Sequence, residues 1–262
     1  MYDPEDFDLD LPYDAHQNPP EQVVAWKKLM DEGVEPGNLQ QAFMAKPQQI
    51  KEAMALTAGM ITMIDDAIGE ILAELEAAGK LDNTIIIFNS DHGDYMGAFN
   101  LLLKGPFAHD SVNRVPFIWV DPRGREVETA DGLAASVDIA ATLLERLELT
   151  PYYGMQGKSF LNQINGGDAT RDYVLIEHEE NKVYPGFDKR PNMRHLVTDS
   201  HRMTVYKGLD RGELYDRRKD PNETHNLWDN PMAAEARAQM MFTLGQAMLD
   251  AIEPGPWPLR TA

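Results

Sequence analysis

Two adjacent residues, Asp91 and His92, follow directly on the apolar run Thr84-Ile-Ile-Ile-Phe-Asn-Ser90. A carboxylate beside an imidazole can share one divalent cation, and a mixed oxygen and nitrogen set suits manganese, iron or zinc better than magnesium. Two ligands are too few for a site, and no His-x-His or His-Glu-x-x-His spacing supplies others. The pair therefore has two readings: a partial metal site, or a turn whose Asp side chain bonds its own backbone. Lys104 lies among Leu101, Leu102, Leu103 and the Gly105-Pro106 step. Its ammonium is either an anion contact that stabilises charge on a leaving oxygen, or a snorkelling cation with its stem on apolar surface. The residues leave both open. His109 and Asp110 are weaker candidates, and Arg114, just before Val115-Pro116, reads as a loop anchor to a carboxylate. His178, followed by Glu179 and Glu180, reads as a solvated strand end, and Arg217-Arg218-Lys219 as a solvated turn. Ser90 reads as structural.

The elements that must position these groups can be read from periodicity. The run 84–90 is continuous, β-branched and aromatic, which predicts a strand covered on both faces, as in a parallel sheet. Polar residues just past such a strand's carboxyl end are where α/β proteins place their sites. Upstream, residues 47–78 predict a long helix: Met60, Ile61, Ile64, Ile68, Ile71, Leu72 and Leu75 draw one apolar stripe, expected to be core. Pro47 suits its first turn and Gly79 its stop. Val115–Val120 predicts a second strand. Ser136 is expected to cap a helix reaching about Leu147, with Asp138 in its positive first turn. Beyond Pro151, short runs at Tyr173–His178, His195–Thr198, Arg202–Tyr206 and Glu213–Tyr215 predict an antiparallel meander, and Pro231–Ile252 a closing helix. The expected organisation is an irregular arm over 1–46 with one short helix near Glu21–Glu32, part of an α/β domain over 47–165, and a small α+β subdomain over 166–262.

Composition narrows the function. With 24 Lys and Arg against 43 Asp and Glu, the formal net charge of the 262 residues is −19. That balance argues against nucleic-acid binding, which needs basic surface. The absence of cysteine excludes a disulfide scaffold, thiolate zinc sites and a thiol nucleophile within these residues. The first residues carry no basic start and apolar core, so no secretory peptide begins at Met1 and a cytoplasmic location is expected. No apolar run reaches the roughly 20 residues of a membrane span. The acidic residues Asp3, Glu5, Asp6, Asp8 and Asp10 read as a solvated arm rather than a metal cluster. Neither a P-loop, a GxGxxG turn nor a GxSxG elbow is present.

One ordered series of segments resembles a known family. TIIIFNSDHGDYMG and LLLKGPFAHDSVNRVPFIWVDP, within residues 84–122, resemble the central segment of the type I sulfatases, which share the alkaline phosphatase superfamily with the phosphonate monoester hydrolases. ITMIDDAIGEILAELEAAGKLDNT (61–84), SVDIAATLLERL (136–147), GMQGKSFL (154–161) and GELYDRRKDPNETHNL (212–227) are similar to the same family. The resemblance implies an α/β fold: part of an alkaline-phosphatase-like mixed or parallel sheet with flanking helices, then a small α+β subdomain with an antiparallel sheet.

The resemblance also implies roles. Asp91 and His92 match a pair of metal ligands, for calcium or manganese, and Lys104 matches the lysine that contacts the sulfate or phosphonate group. His109 and Arg114 remain structural or supporting candidates. Gly97-Ala98-Phe99-Asn100 stands where many members carry Gly-Asp-His-Gly, which leaves the ester class open. The family's N-terminal paired aspartates, and the Cys-x-Pro-x-Arg segment whose cysteine becomes formylglycine, have no counterpart in these residues. The expectation is therefore the C-terminal portion of a metal-dependent sulfuric ester hydrolase, inactive alone. Part of a phosphonate monoester hydrolase or phosphodiesterase is the alternative. A different class is a non-catalytic assembly module that self-associates or docks with an N-terminal half. The expected partner of the intact enzyme is a small sulfate or phosphonate ester, not a nucleic acid or a membrane.

Overall fold

The computed structural model describes residues 1–34, 42–124 and 129–252, so part of the arm expected over 1–46 lies outside the described residues. Helix α1 (Glu21–Asp31) leads to strand β1 (Phe43–Met44) and the long helix α2 (Pro47–Ala77). Then come β2 (Ile86–Asn89), β3 (Leu101–Leu102), α3 (Asp110–Asn113), β4 (Phe117–Val120), α4 (Asp138–Arg146) and α5 (Leu161–Ile164). Strands β5 (Tyr173–Glu179), β6 (Asn192–Thr198), β7 (His201–Tyr206) and β8 (Gly212–Asp216) precede the closing helix α6 (Ala234–Asp250). Among the described residues no helix is long and apolar enough to cross a membrane.

The meander forms as its spacing predicts, in the order β5-β6-β7-β8 with every neighbour antiparallel. Its inward residues Leu196, Met203 and Leu214 pack on Met240, Leu244 and Ala247 of α6. Those three helix positions recur at the spacing of one face, so burying them fixes α6 on the sheet. A second core gathers Val23 and Trp26 of α1 with Tyr95, Phe99, Leu101 and Phe107. Residues before position 46 thus supply large buried side chains to the body that carries the site.

Three local expectations differ from what is observed. Among the described residues strand β2 pairs only with β4, antiparallel, Ile86 opposite Val120 through Asn89 opposite Phe117, and it is only half-buried. A run covered on both faces would bury Ile86, Ile87 and Phe88, which here stay half-buried. Helix α2 begins at Pro47 and stops before Gly79, but Met60, Ile61, Met63, Ile64 and Ile71 are exposed, Met63 at 70%. Only Ile50 and Ala55 on this helix are buried, so most of the stripe is not core within this chain. The α4 cap is Val137, without a side-chain bond, rather than Ser136. Asp138 instead lies buried, accepting from the backbone N–H groups of Ala135 (2.9 Å) and Lys158 (2.7 Å) and pairing with Arg171.

Candidate functional site

The site begins where β2 ends. Ser90 donates to the His92 carbonyl at 2.9 Å, so it shapes the turn and plays the structural part its position suggested. The His92 backbone N–H donates to Asp91 Oδ1 at 2.9 Å, and this bond, first among several contributions, holds the Asp91 carboxyl below the usual carboxylate range. The turn-stabilising reading of Asp91 is therefore real, yet it uses only one oxygen. The other, Oδ2, lies 3.4 Å from His92 Nε2 in a carboxylate that is 84% exposed. The His92 ring is fixed from its far side, with Nδ1 2.8 Å from the Gly93 carbonyl. A carbonyl can only accept, so Nδ1 carries the proton and Nε2 offers its lone pair outward. Fixing a ligating histidine by its second nitrogen is the usual arrangement around bound metals.

Gly93 makes this turn possible. A Cβ there would overlap the carbonyl oxygen of Ser111, because the Gly93 backbone lies against α3 and its N–H donates to Val112 O at 2.8 Å. One residue on, Asp94 Oδ1 accepts from the backbone N–H groups of Met96 (2.8 Å) and Leu103 (2.9 Å). Burial nonetheless raises its carboxyl pKa. The bond to Leu103 holds that residue at φ +66°, a conformation costly for a leucine. The following residue is Lys104. Its side chain is exposed rather than buried among the leucines, because Leu101 and Leu102 turn into the core while the chain reverses at Leu103. Lys104 Nζ meets His92 Nε2. Carboxylate, imidazole and ammonium thus converge at one point.

That point lies in a groove of about 950 Å³, lined also by Arg114, Phe117, Phe160, His178, Glu180 and Arg217. Arg114 pairs with Asp110 at 3.5 Å and is largely exposed, so it meets a carboxylate as expected. His109 does not line this groove. It is buried, caps α3 by accepting from Ser111 N–H at 3.2 Å, and is pushed down to about 4 by burial and by Arg202. Among the described residues no cluster of three or more His, Asp and Glu gathers to hold a metal ion. Asp91 and His92 fit a cation as two ligands of a larger set.

Two features gave little sequence signal. Arg217, expected in a solvated turn, is held by Thr198 O at 2.8 Å and lies 3.8 Å from Asp110, so it belongs to the groove wall. Arg202, 1% exposed, bonds Glu213 at 3.0 Å and Glu223 at 2.7 Å. Burial works against its charge, but the carboxylates of Glu223 and Glu213 outweigh this and raise its pKa. Glu223 also accepts from Asp110 N–H at 3.1 Å, and Gln22 of α1 reaches Glu213 at 3.2 Å. One buried chain of bonds therefore joins α1, the meander and the loop that carries Arg114. Alternation within β7 could have flagged Arg202 as an inward charge; nothing in sequence could name its partners.

A family profile described as Sulfatase matches residues 12–149, and one described as N-sulphoglucosamine sulphohydrolase, C-terminal, matches residues 101–249. An uncharacterized sulfatase of Escherichia coli, YidJ, is 32% identical over 202 residues, covering 76% of this chain and 38% of the relative. An arylsulfatase of Clostridium perfringens is 34% identical over 183 residues, covering 68% of this chain and 36% of the relative. The chain therefore spans less than two fifths of the length of these curated relatives. Among solved structures, the phosphonate monoester hydrolase of Silicibacter pomeroyi superposes with a TM-score of 0.78 at 18% identity, over 97% of this chain and 52% of that one.

Proposed function

This chain belongs to the sulfatase family, and from that premise we propose that its groove contributes part of a metal-dependent site for sulfuric ester hydrolysis. The reading is carried by the convergence of Asp91 Oδ2, His92 Nε2 and Lys104 Nζ at the groove. Asp91 brings negative charge, and His92 presents a lone pair fixed by the Gly93 carbonyl. Asp91 and His92 would hold a divalent cation, calcium or manganese, which would supply positive charge to the ester's oxygens. The mixed donors favour manganese, since calcium prefers an all-oxygen shell. Lys104 binds the anionic group and stabilises charge that grows on the leaving oxygen. A cation held by His92 would use the lone pair that Lys104 Nζ meets, leaving the ammonium available to the anionic group. A phosphonate or phosphate ester presents the same anionic oxygens and is the alternative substrate.

With two ligands and no thiol from which formylglycine could arise, these 262 residues alone are expected to bind but not to turn over. Manganese should broaden the resonances of Asp91 and His92, and Asp91→Asn combined with His92→Ala should abolish that effect. Para-nitrophenyl sulfate should remain intact with added manganese or calcium. Turnover above that of a Lys104→Ala control would overturn the incompetence, and unaltered Asp91 and His92 resonances would overturn the metal reading.

A second reading, of another class, is supported by the exposed apolar residues of α2 and by Ile118 and Val120 of β4. Solvent-facing apolar surface of this kind favours association. On this reading the chain is an assembly module that docks on a further sulfatase segment or on itself. A strictly monomeric species in light scattering over a wide concentration range would count against it.

A further inference from the structure

The two residues that follow the Asp91-His92-Gly93 turn are tied to the chain on both sides of Lys104. Before it, Leu103 N–H donates to Asp94 Oδ1 at 2.9 Å, and Leu103 O accepts from Tyr95 N–H at 2.8 Å. After it, the Tyr95 hydroxyl stands 3.0 Å from Gly105 O and 2.8 Å from Phe107 O, so its one proton is shared between two carbonyls. The Lys104 carbonyl itself accepts from Ala42 N–H at 3.0 Å. The Tyr95 ring is buried and stacks on Phe107, ring centroids 5.8 Å apart. Burial, with Glu213 second, pushes its phenol well up, so it stays a neutral donor. Between these ties the backbone is left-handed at Met96 (φ +42°), Phe99 (φ +56°), Asn100 (φ +62°) and Leu103 (φ +66°). Non-glycine residues keep such conformations only where their surroundings over-determine them. The Lys104 side chain is exposed, so the backbone beneath it, rather than side-chain packing, sets where its ammonium can reach.

We infer that Asp94 and Tyr95 are positioning residues for Lys104: they hold its backbone from both sides, so that the ammonium stands at the groove before an ester binds. Ordering the group beforehand removes that cost from binding. Neither Asp94 nor Tyr95 lines the groove, so each acts through Lys104. The inference rests on the anion reading of Lys104.

The test follows the intact chain by NMR with two separate probes, inorganic sulfate and manganese. In the free wild type the Lys104 amide should be as ordered as those of β5–β8, and sulfate should leave that order unchanged. Tyr95→Phe removes a tie without orphaning a carbonyl, since Gly105 O also accepts from Phe107 N–H at 2.8 Å and Phe107 O from His109 N–H at 3.0 Å. It should weaken sulfate roughly fivefold, the equivalent of one hydrogen bond, and leave manganese broadening at Asp91 and His92 unchanged. Asp94→Asn keeps an acceptor for Leu103 N–H and should bind sulfate at least as well as wild type, while Asp94→Ala should bind it less well. The inference is overturned by unchanged sulfate affinity in Tyr95→Phe, by equal losses of sulfate and manganese there, or by equal sulfate losses in the two Asp94 variants. It is also overturned by a Lys104 amide that becomes ordered only with sulfate present, a readout that needs no variant to fold. A wild type that binds sulfate no better than Lys104→Ala overturns the anion reading instead, so the two failures are distinguishable.

Discussion

Two clusters in this molecule join cations to carboxylates and do opposite things with them. Arg202, Glu213 and Glu223 are sealed between β7, β8 and the loop at Asn222, and every charge has a partner at bonding distance. Asp91, His92 and Lys104 meet at the open groove, where Asp91 keeps one oxygen largely in water. In the interior, a charge without its partner has nothing to replace it, so the cluster holds structure. In the groove, water and salt screen each charge, so the pairing adds little stability and leaves the groups open to exchange partners. Within one acidic chain, burial decides whether an ion pair is scaffold or site.

The comparison breaks most visibly at Arg202. Arg202→Ala leaves two buried carboxylates unpaired and should cost about 3–5 kcal/mol, read from urea denaturation. A loss below 1 kcal/mol would show that water reaches the cluster. Next is the buried histidine attached to the network. His109, held at about 4 against an ordinary 6.5, binds its proton more readily unfolded than folded. Its contribution is complete above about pH 6.5 and is lost as pH falls toward 4, roughly 3 kcal/mol in all. His16, also pushed down to about 4 by burial and by His109, acts in the same direction. Urea midpoints between pH 7 and 4 should fall, and His109→Gln should flatten the fall.

Gly93→Ala tests the turn beneath Asp91 and His92. Its Cβ would overlap Ser111 O, so about 1–3 kcal/mol of strain should appear, together with weaker manganese binding in a relaxation titration. Intact metal affinity would show that the turn can move without disturbing His92. Smallest in stability is Lys104→Ala, expected within about 0.5 kcal/mol of wild type, yet with sulfate binding lost. A large destabilisation there would make Lys104 part of the scaffold and erase the contrast.

Much of this was legible in sequence, and the exceptions have physical causes. The meander and α6 follow from local alternation and periodicity, which a strand or helix imposes on its own residues. Asp91, His92 and Lys104 stood out because their residue types and their place after a strand limit what they can be. The resemblance to sulfatases, carried by the ordered segments from 61 to 227, holds. What failed concerned neighbours. The apolar stripe of α2 predicted burial, but periodicity says which face is apolar and not whether anything covers it. The run at 84–90 suggested cover on both faces, and among the described residues Ile86, Ile87 and Phe88 are only half-buried. Ser136 looked like a cap, but Arg171 and two backbone N–H groups draw Asp138 inward and the helix begins one residue later, with Val137 at the cap.

The sequence by itself determined the element types, the family and the identity of the three groups at the groove, because propensity, patterning and residue chemistry are local. Only the tertiary structure decided that Glu223 would tie Arg202 to the Asp110 loop, that Arg217 would join the groove wall, and that His178 would meet Glu180 along the groove that carries Lys104. Those arrangements join residues that in most cases lie far apart in the chain, and which of them meet is set by how β5–β8 and α3 pack, not by any property of the residues alone.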